Sequence, residues 1–153
     1  WQHVLEPISG YLILGKKLYI KPQVYSGSWN FGPKNRETKN VKEVAQIVMK
    51  IIDKKSKLKI IFKRGLFKES TLLKLNSNKA NKKLKWKTRW TVTHSIKQAA
   101  IWYDSYLNKK DTNKLTQHQH RAVIIEPVIN EMARVETERG NHGSWTQSSW
   151  ERP

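Results

Sequence analysis

The sequence predicts an α/β fold in which helices pack on a few short strands. Apolar residues recur at helical spacing in three segments, residues 8–18, 41–53 and about 93–107. Two short apolar stretches, residues 25–33 and 59–62, are typical of strands. A chain of 153 residues is long enough for one hydrophobic core and short for two. We therefore expect one small lobe over residues 1–120 and an unassigned tail over residues 121–153.

The first predicted helix starts near Pro7, a residue suited to a first helical turn, and ends at Lys21-Pro22. Its spacing predicts a buried face made of Ile8, Tyr11, Leu12, Gly15 and Leu18. The second helix, over residues 41–53, begins with a capping box in which Asn40 is the N-cap and Glu43 stands three residues later.

Two more helices follow. A short one is predicted over residues 78–84, with Asn76 helping to start it. The last begins at Thr93 or Ser95, and its predicted inner face is Ile96, Ala99, Ala100, Tyr103 and Leu107.

The two predicted strands differ in character. Residues 25–33 alternate aromatic and small residues and close with Gly-Pro, a turn signal. Residues 59–62 form a short apolar run after a lysine-rich connection. In the tail, a helix is possible over residues 127–138, and the polar residues 140–153 are expected to be disordered.

The charge of the chain is strongly basic, with a formal net charge of +18. All 23 lysines lie in residues 1–120, together with only three of the seven arginines. Nucleic-acid readout favours arginine, and these lysines are scattered rather than gathered in one stripe. The charge therefore favours a compositional bias, and a nucleic-acid-binding surface is the alternative.

The chain has no cysteine, which excludes disulfides, thiol catalysis and thiolate metal sites. It shows no apolar run of membrane-spanning length and no signal-peptide pattern at its first residues. We expect a soluble, cytoplasmic protein without a membrane partner.

Three segments carry a resemblance to a known family. Residues 1–11 read W-Q-H-V-L-E-P-I-S-G-Y, residues 29–33 read W-N-F-G-P, and residues 84–90 read L-K-W-K-T-R-W. They resemble segments of the CDP-glucose 4,6-dehydratases, which are extended short-chain dehydrogenases/reductases; the family has proline where this chain has Thr88. The resemblance implies the carboxyl-terminal, substrate-binding part of such an enzyme, without its Rossmann lobe.

The resemblance also implies substrate-binding residues. In related enzymes the asparagine of an Asn-x-Gly element faces the nucleotide diphosphate. The resemblance implies this role for Asn30. The alternative is that the Asn30 side chain bonds to backbone amides of the turn. The other residues matched to the substrate cleft are His3, Lys68 and Glu69. Lys68 stands where the family has histidine.

The chemistry of the family requires parts that this sequence lacks. No glycine-rich NAD loop occurs, and the single Tyr-x-x-x-Lys, Tyr106 to Lys110, lies outside the family's catalytic position. By resemblance, NAD binds a missing or separate Rossmann lobe, the parent enzyme is a homodimer, and the ligand is CDP-glucose, converted to CDP-4-keto-6-deoxyglucose. We expect no catalytic residue, cofactor or metal on this chain, so the isolated fragment should be inactive.

Other sites are less well supported. Under the nucleic-acid alternative, Trp86 and Trp90 would stack on bases, although large aromatic residues more often build a core. His118 and His120 have metal-ligand spacing but lack a convincing third ligand. A third possibility is a decayed gene product with no activity.

Overall fold

The computed structural model describes residues 1–33, 38–52, 59–61 and 74–139. These residues form α-helices and two π-helical segments, and none of them lies in a strand. In chain order the helices are α1 Leu5–Ile20, α2 Pro22–Tyr25, α3 Val41–Ile52, α4 Val92–Leu107, α5 Asn113–His120 and α6 Glu126–Arg139. The first π segment, Ala80–Leu84, precedes α4, and the second, Arg121–Ile125, joins α5 to α6.

The helical part of the predicted fold is confirmed, whereas the predicted strands are not found in the described residues. The start of the segment 25–33 belongs to α2, and residues 26–33 are irregular. Their polar groups bond elsewhere: the Trp29 indole donates to the Tyr25 carbonyl, and the Gly32 amide donates to the Ser77 hydroxyl. Residues 59–61 have no regular structure, and residue 62 lies outside the described residues.

The predicted helix starts are largely confirmed. The Asn40 side chain accepts from the Glu43 amide at 2.9 Å, and the Glu43 carboxylate accepts from the Asn40 amide at 2.8 Å, which is the predicted capping box. Asn76 Oδ1 accepts from the Asn78 amide at 3.0 Å, as expected for a residue that helps start the short helix. Helix α4 starts earlier than predicted, because Thr91 caps it by accepting from the His94 amide.

The core lies between α1, the first π segment and α6. Its buried residues are Ile13, Phe31, Ala80, Leu84, Trp86 and Val128. Helix α1 also contacts the second π segment, and α3 packs on α4. No helix in the described part of the chain is both long and apolar enough to cross a membrane.

Helical structure continues across residue 120, where the sequence predicts the tail to begin. The predicted helix 127–138 lies within α6, and Val123 and Val128 are both buried. A buried ion pair joins α6 to α1, with Lys17 Nζ at 3.0 Å from Glu131 Oε1. The expected disorder of residues 140–153 falls outside the described residues.

The predicted buried face of α1 is wrong. Tyr11, Leu12 and Gly15 are exposed, and Ile8 and Leu18 are only half-buried. The face that packs on the core is instead Leu5, Glu6, Ser9, Gly10, Ile13 and Lys17. This side packs on the core because Ser9 and Gly10 are small and leave room for two aromatic rings. The Ser9 hydroxyl accepts from the Trp86 indole at 3.0 Å. Gly10 faces the Phe31 ring.

The predicted inner face of α4 is correct only in its first half. Ile96 and Ala100 are buried, and Ala99 is half-buried. Tyr103 and Leu107 are exposed, whereas the neighbouring Trp102 is half-buried and donates to the Thr116 hydroxyl.

Candidate functional site

The three segments that carry the family resemblance pack against one another. The Gln2 side-chain amide donates to the Phe31 carbonyl at 2.8 Å, which joins the first segment to the second. The rings of Phe31 and Trp86 meet edge to face at 5.1 Å, which joins the second segment to the third. Residues far apart in sequence therefore form one packed unit.

A buried carboxylate fixes the third segment on α1. Glu6 is fully buried and accepts hydrogen bonds from the Arg89 amide at 3.0 Å and the Trp90 amide at 2.8 Å. Burial raises the pKa of the Glu6 carboxyl, and these two backbone hydrogen bonds oppose the rise. Because its oxygens are occupied by the backbone, Glu6 positions the segment 84–90 rather than facing a ligand.

The second segment is held from its other side by Ser77. The Ser77 hydroxyl accepts from the Gly32 amide at 2.7 Å and donates to the Gly32 carbonyl at 3.3 Å. A Cβ on Gly32 would lie 2.9 Å from Leu75 Cβ, so glycine is required for this close approach. The loop 26–33 is thus attached on both sides.

Asn30 projects from this attached loop. Its neighbour Phe31 is buried, and Trp29 is half-buried, with its ring stacked on Tyr25 at 6.3 Å. Asn30 itself is exposed between these two packed neighbours. An exposed amide on a rigid loop can donate a hydrogen bond to an incoming anion.

Lys79 lies in the same region. Its ammonium donates to the Ser28 carbonyl at 2.8 Å and lies 4.2 Å from the centroid of the Trp29 ring. Lys79 is a candidate ligand contact that the sequence alone does not single out. A cation beside the loop and an amide on it are the kinds of group that bind phosphate.

The other predicted contacts are placed differently. The His3 ring is buried at an edge-to-face distance of 5.1 Å from Trp90, and His3 Nδ1 accepts from the Leu5 amide at 3.3 Å. Burial lowers the pKa of the His3 imidazole, and the nearby His120 and His94 lower it further. Substrate contact by His3 stays a prediction, and Lys68 and Glu69 lie outside the described residues.

A surface pocket of about 540 Å³ lies between the third segment and α6. Four cationic residues, Lys85, Lys87, Arg89 and Arg134, line it above the buried Ile13 and Trp86. Neither Asn30 nor His3 is among its lining residues. Its one lining carboxylate, Glu131, already pairs with Lys17 and Arg134.

The aromatic and histidine residues of the nucleic-acid and metal alternatives lie in the described part of the chain. Trp86 is 3% exposed and is therefore unavailable for stacking on bases, and half-buried Trp90 has ring contacts with His3 and His94. Within the described ranges, His118 and His120 belong to no cluster of three possible metal ligands. Tyr106 is exposed near the end of α4 and stacks on Trp102.

Comparison with known proteins agrees with the sequence resemblance at a coarse level. No protein-family model matches the chain. The chain is 31% identical over 111 residues to a CDP-glucose 4,6-dehydratase of Salmonella typhimurium (strain LT2). The match covers 72% of this chain but only 31% of the relative. The chain is thus similar to about a third of the length of a sugar-nucleotide dehydratase.

Proposed function

We propose that this chain is the sugar-nucleotide-binding part of a dehydratase related to the CDP-glucose 4,6-dehydratases. The observation that carries the proposal is the packing of the three resembling segments into one unit from which Asn30 projects. Catalytic and binding residues of enzymes are often displayed on loops that a rigid scaffold positions. The similarity to the Salmonella protein supports the ligand class.

In this proposal the loop 26–33 binds the diphosphate of CDP-glucose. The Asn30 amide donates a hydrogen bond to a phosphate oxygen without adding charge. Lys79 supplies the positive charge, and its bond to the Ser28 carbonyl holds it beside the same loop. Hydrogen bonds at Phe31 and Gly32 hold the loop 26–33 in place. The loop therefore loses little conformational freedom when the ligand binds.

The chemistry itself belongs to residues outside this chain. NAD, which the parent family uses for hydride transfer, would bind a separate Rossmann lobe. The role of the present chain is to hold the hexose in the orientation that the reaction needs. The isolated chain should accordingly bind CDP-glucose weakly and convert none of it.

Calorimetric titration with CDP-glucose tests the proposal. Asn30→Ala should weaken binding by about tenfold, as expected when one hydrogen bond to a charged group is lost. Asn113→Ala is the matched control, because Asn113 is an exposed asparagine at the start of α5. The control variant should bind as the wild type does.

Two results would contradict the proposal. One is the absence of any heat of binding with CDP-glucose, or an equal loss in both variants. The other is tight, salt-sensitive binding to DNA or RNA without a sugar-nucleotide signal, which would favour the nucleic-acid alternative.

A further inference from the structure

The pocket between the third segment and α6 gathers cations from two separate parts of the chain. Lys85, Lys87 and Arg89 come from the third segment, and Arg134 comes from α6. Against these four cations the lining has one carboxylate, Glu131, which leaves a surplus of three positive charges. That carboxylate also pairs with a lysine of α1 outside the lining. The pocket is therefore suited to an anion with more than one negative charge.

Burial alternates along the third segment, which brings its three cations to one side. Leu84 and Trp86 are buried, whereas residues 85, 87 and 89 are exposed. The alternation starts at Lys85, which ends the first π segment with φ 56°, in the left-handed region. A lysine rarely adopts this conformation, and it persists only where the surrounding structure holds it. The backbone that presents these cations is therefore fixed by its packing.

The arginines distinguish this pocket from the general lysine content of the chain. The sequence has 23 lysines but only seven arginines, and two of the seven, Arg89 and Arg134, line the pocket. A guanidinium group can donate two parallel hydrogen bonds to one phosphate, and lysines add point charges. Asn130 of α6 adds an uncharged amide to the lining. These donors together favour a ligand that presents several anionic oxygens.

The floor of the pocket favours a compact and polar ligand. Ile13 is 5% exposed and Trp86 3%, so the floor offers little apolar surface to a ligand. A base or an acyl chain would therefore gain little by burial there. The volume of about 540 Å³ lies within the range of small-molecule sites. Two linked phosphate groups carry about three to four negative charges at neutral pH, which is close to the surplus of three.

We propose that this pocket binds a small, soluble anion that contains two or more linked phosphate groups. The inference is independent of the proposed function, because neither Asn30 nor Lys79 lines the pocket. Nucleic acid fits the pocket less well, because the cations lie on two sides of a concave site and the buried Trp86 cannot stack on a base.

The test is calorimetric titration with inorganic pyrophosphate at 0.15 M salt, where the Debye length of about 8 Å screens distant charges. Lys85→Gln combined with Lys87→Gln should weaken pyrophosphate binding by about tenfold or more. Lys109→Gln combined with Lys110→Gln is the matched control, because it removes the same charge at two exposed lysines outside the pocket. Lys109 also shares the left-handed backbone of Lys85, with φ 52°. The control variant should bind pyrophosphate as the wild type does.

Lysine acetylation read by mass spectrometry locates the ligand on the wild-type protein, without any substitution. Bound pyrophosphate should slow the acetylation of Lys85 and Lys87 several-fold, because the ligand covers their ammonium groups. The acetylation of Lys109 and Lys110 should be unchanged, since neither lines the pocket.

The proposal is overturned if pyrophosphate gives no heat of binding, or if both double variants lose binding equally. It is also overturned if Asn30→Ala weakens pyrophosphate binding as much as the pocket variant does, since that result would place the anion at the loop 26–33. Single-stranded DNA that binds more tightly and protects lysines in every segment would indicate a nucleic-acid surface instead. Calorimetry with CDP-glucose separates the two proposals. Pyrophosphate binding in the pocket without any CDP-glucose binding contradicts the proposed function alone.

Discussion

At the scale of single residues, two side chains and one glycine decide how the first segment packs. Glu6 and Ser9 are polar, yet both are buried and both bond to the segment 84–90. Gly10 lies against the Phe31 ring. No periodicity rule based on hydrophobicity could have found this face, because its most buried residues are polar or small.

Glu6 should make the stability of the protein depend on pH. Its folded pKa is raised, so its contribution to stability is fully present below the unfolded pKa and is lost as pH rises through the folded pKa. Glu6→Gln removes this titration. We expect the free energy of unfolding of the wild type, relative to the variant, to fall as pH rises above the ordinary glutamate range. Urea denaturation from pH 4 upwards measures it, and a difference that is constant or rises with pH would contradict the assignment.

Gly10 and Gly15 offer a matched pair on α1. A Cβ on Gly10 would clash with the Phe31 ring, and the buried ring has little room to move. Gly10→Ala should therefore lower the free energy of unfolding by about 1–3 kcal/mol.

Gly15→Ala should have the opposite sign, because a Cβ there meets nothing within 4 Å and alanine favours the helix. An increase of about 0.5–1 kcal/mol is expected. Chemical denaturation of both variants checks the pair, and equal effects would show that the packing of Phe31 on Gly10 is wrong.

At the scale of elements, the helices and their caps are predictable from local sequence, whereas the two predicted strands and the packed face of α1 differ from the structure. The capping box of Asn40 and Glu43 was predictable, because both partners lie within four residues. The buried face of α1 was not predictable, because α1 also has apolar residues on its outer side. Which side is buried depends on contacts with Phe31 and Trp86, which are distant in sequence. The segment 25–33 has strand-like alternation, yet Tyr25 is helical and residues 26–33 are irregular.

The candidate site was predictable only in part, because some of its contacts join residues that are distant in sequence. Family resemblance selected Asn30, and its exposure is compatible with a binding role. Lys79 was missed, because its contact with Ser28 spans 51 residues of sequence. Buried His3 carries no local signal that separates a ligand contact from a packed ring.

The helix caps provide a prediction at this scale. Thr91 accepts from the His94 amide at the start of α4, whereas Thr112 makes no side-chain capping bond at the start of α5. Thr91→Ala should lower the free energy of unfolding by about 1 kcal/mol. Thr112→Ala should change it by much less. Equal losses in urea denaturation would contradict the assigned cap.

At the scale of the whole molecule, the net charge of +18 sets the conditions under which the fold is stable. Few carboxylates are available to pair with the lysines, so repulsion between like charges opposes the compact state. The Debye length falls from about 30 Å at 0.01 M salt to about 8 Å at 0.15 M. We expect the melting temperature to rise over this range, measured by circular dichroism, and a fall with added salt would contradict this account.

The ion pair between Lys17 and Glu131 reaches across the change in composition near residue 120. Residues 121–153 contain no lysine, yet Glu131 lies 3.0 Å from a lysine of α1, and Val123 is fully buried. Deleting the residues after 120 would leave the buried Lys17 ammonium without the Glu131 carboxylate. It would also expose Ile13. Anyone shortening the molecule for crystallisation should therefore cut beyond Arg139, where α6 ends, and not where the lysines stop.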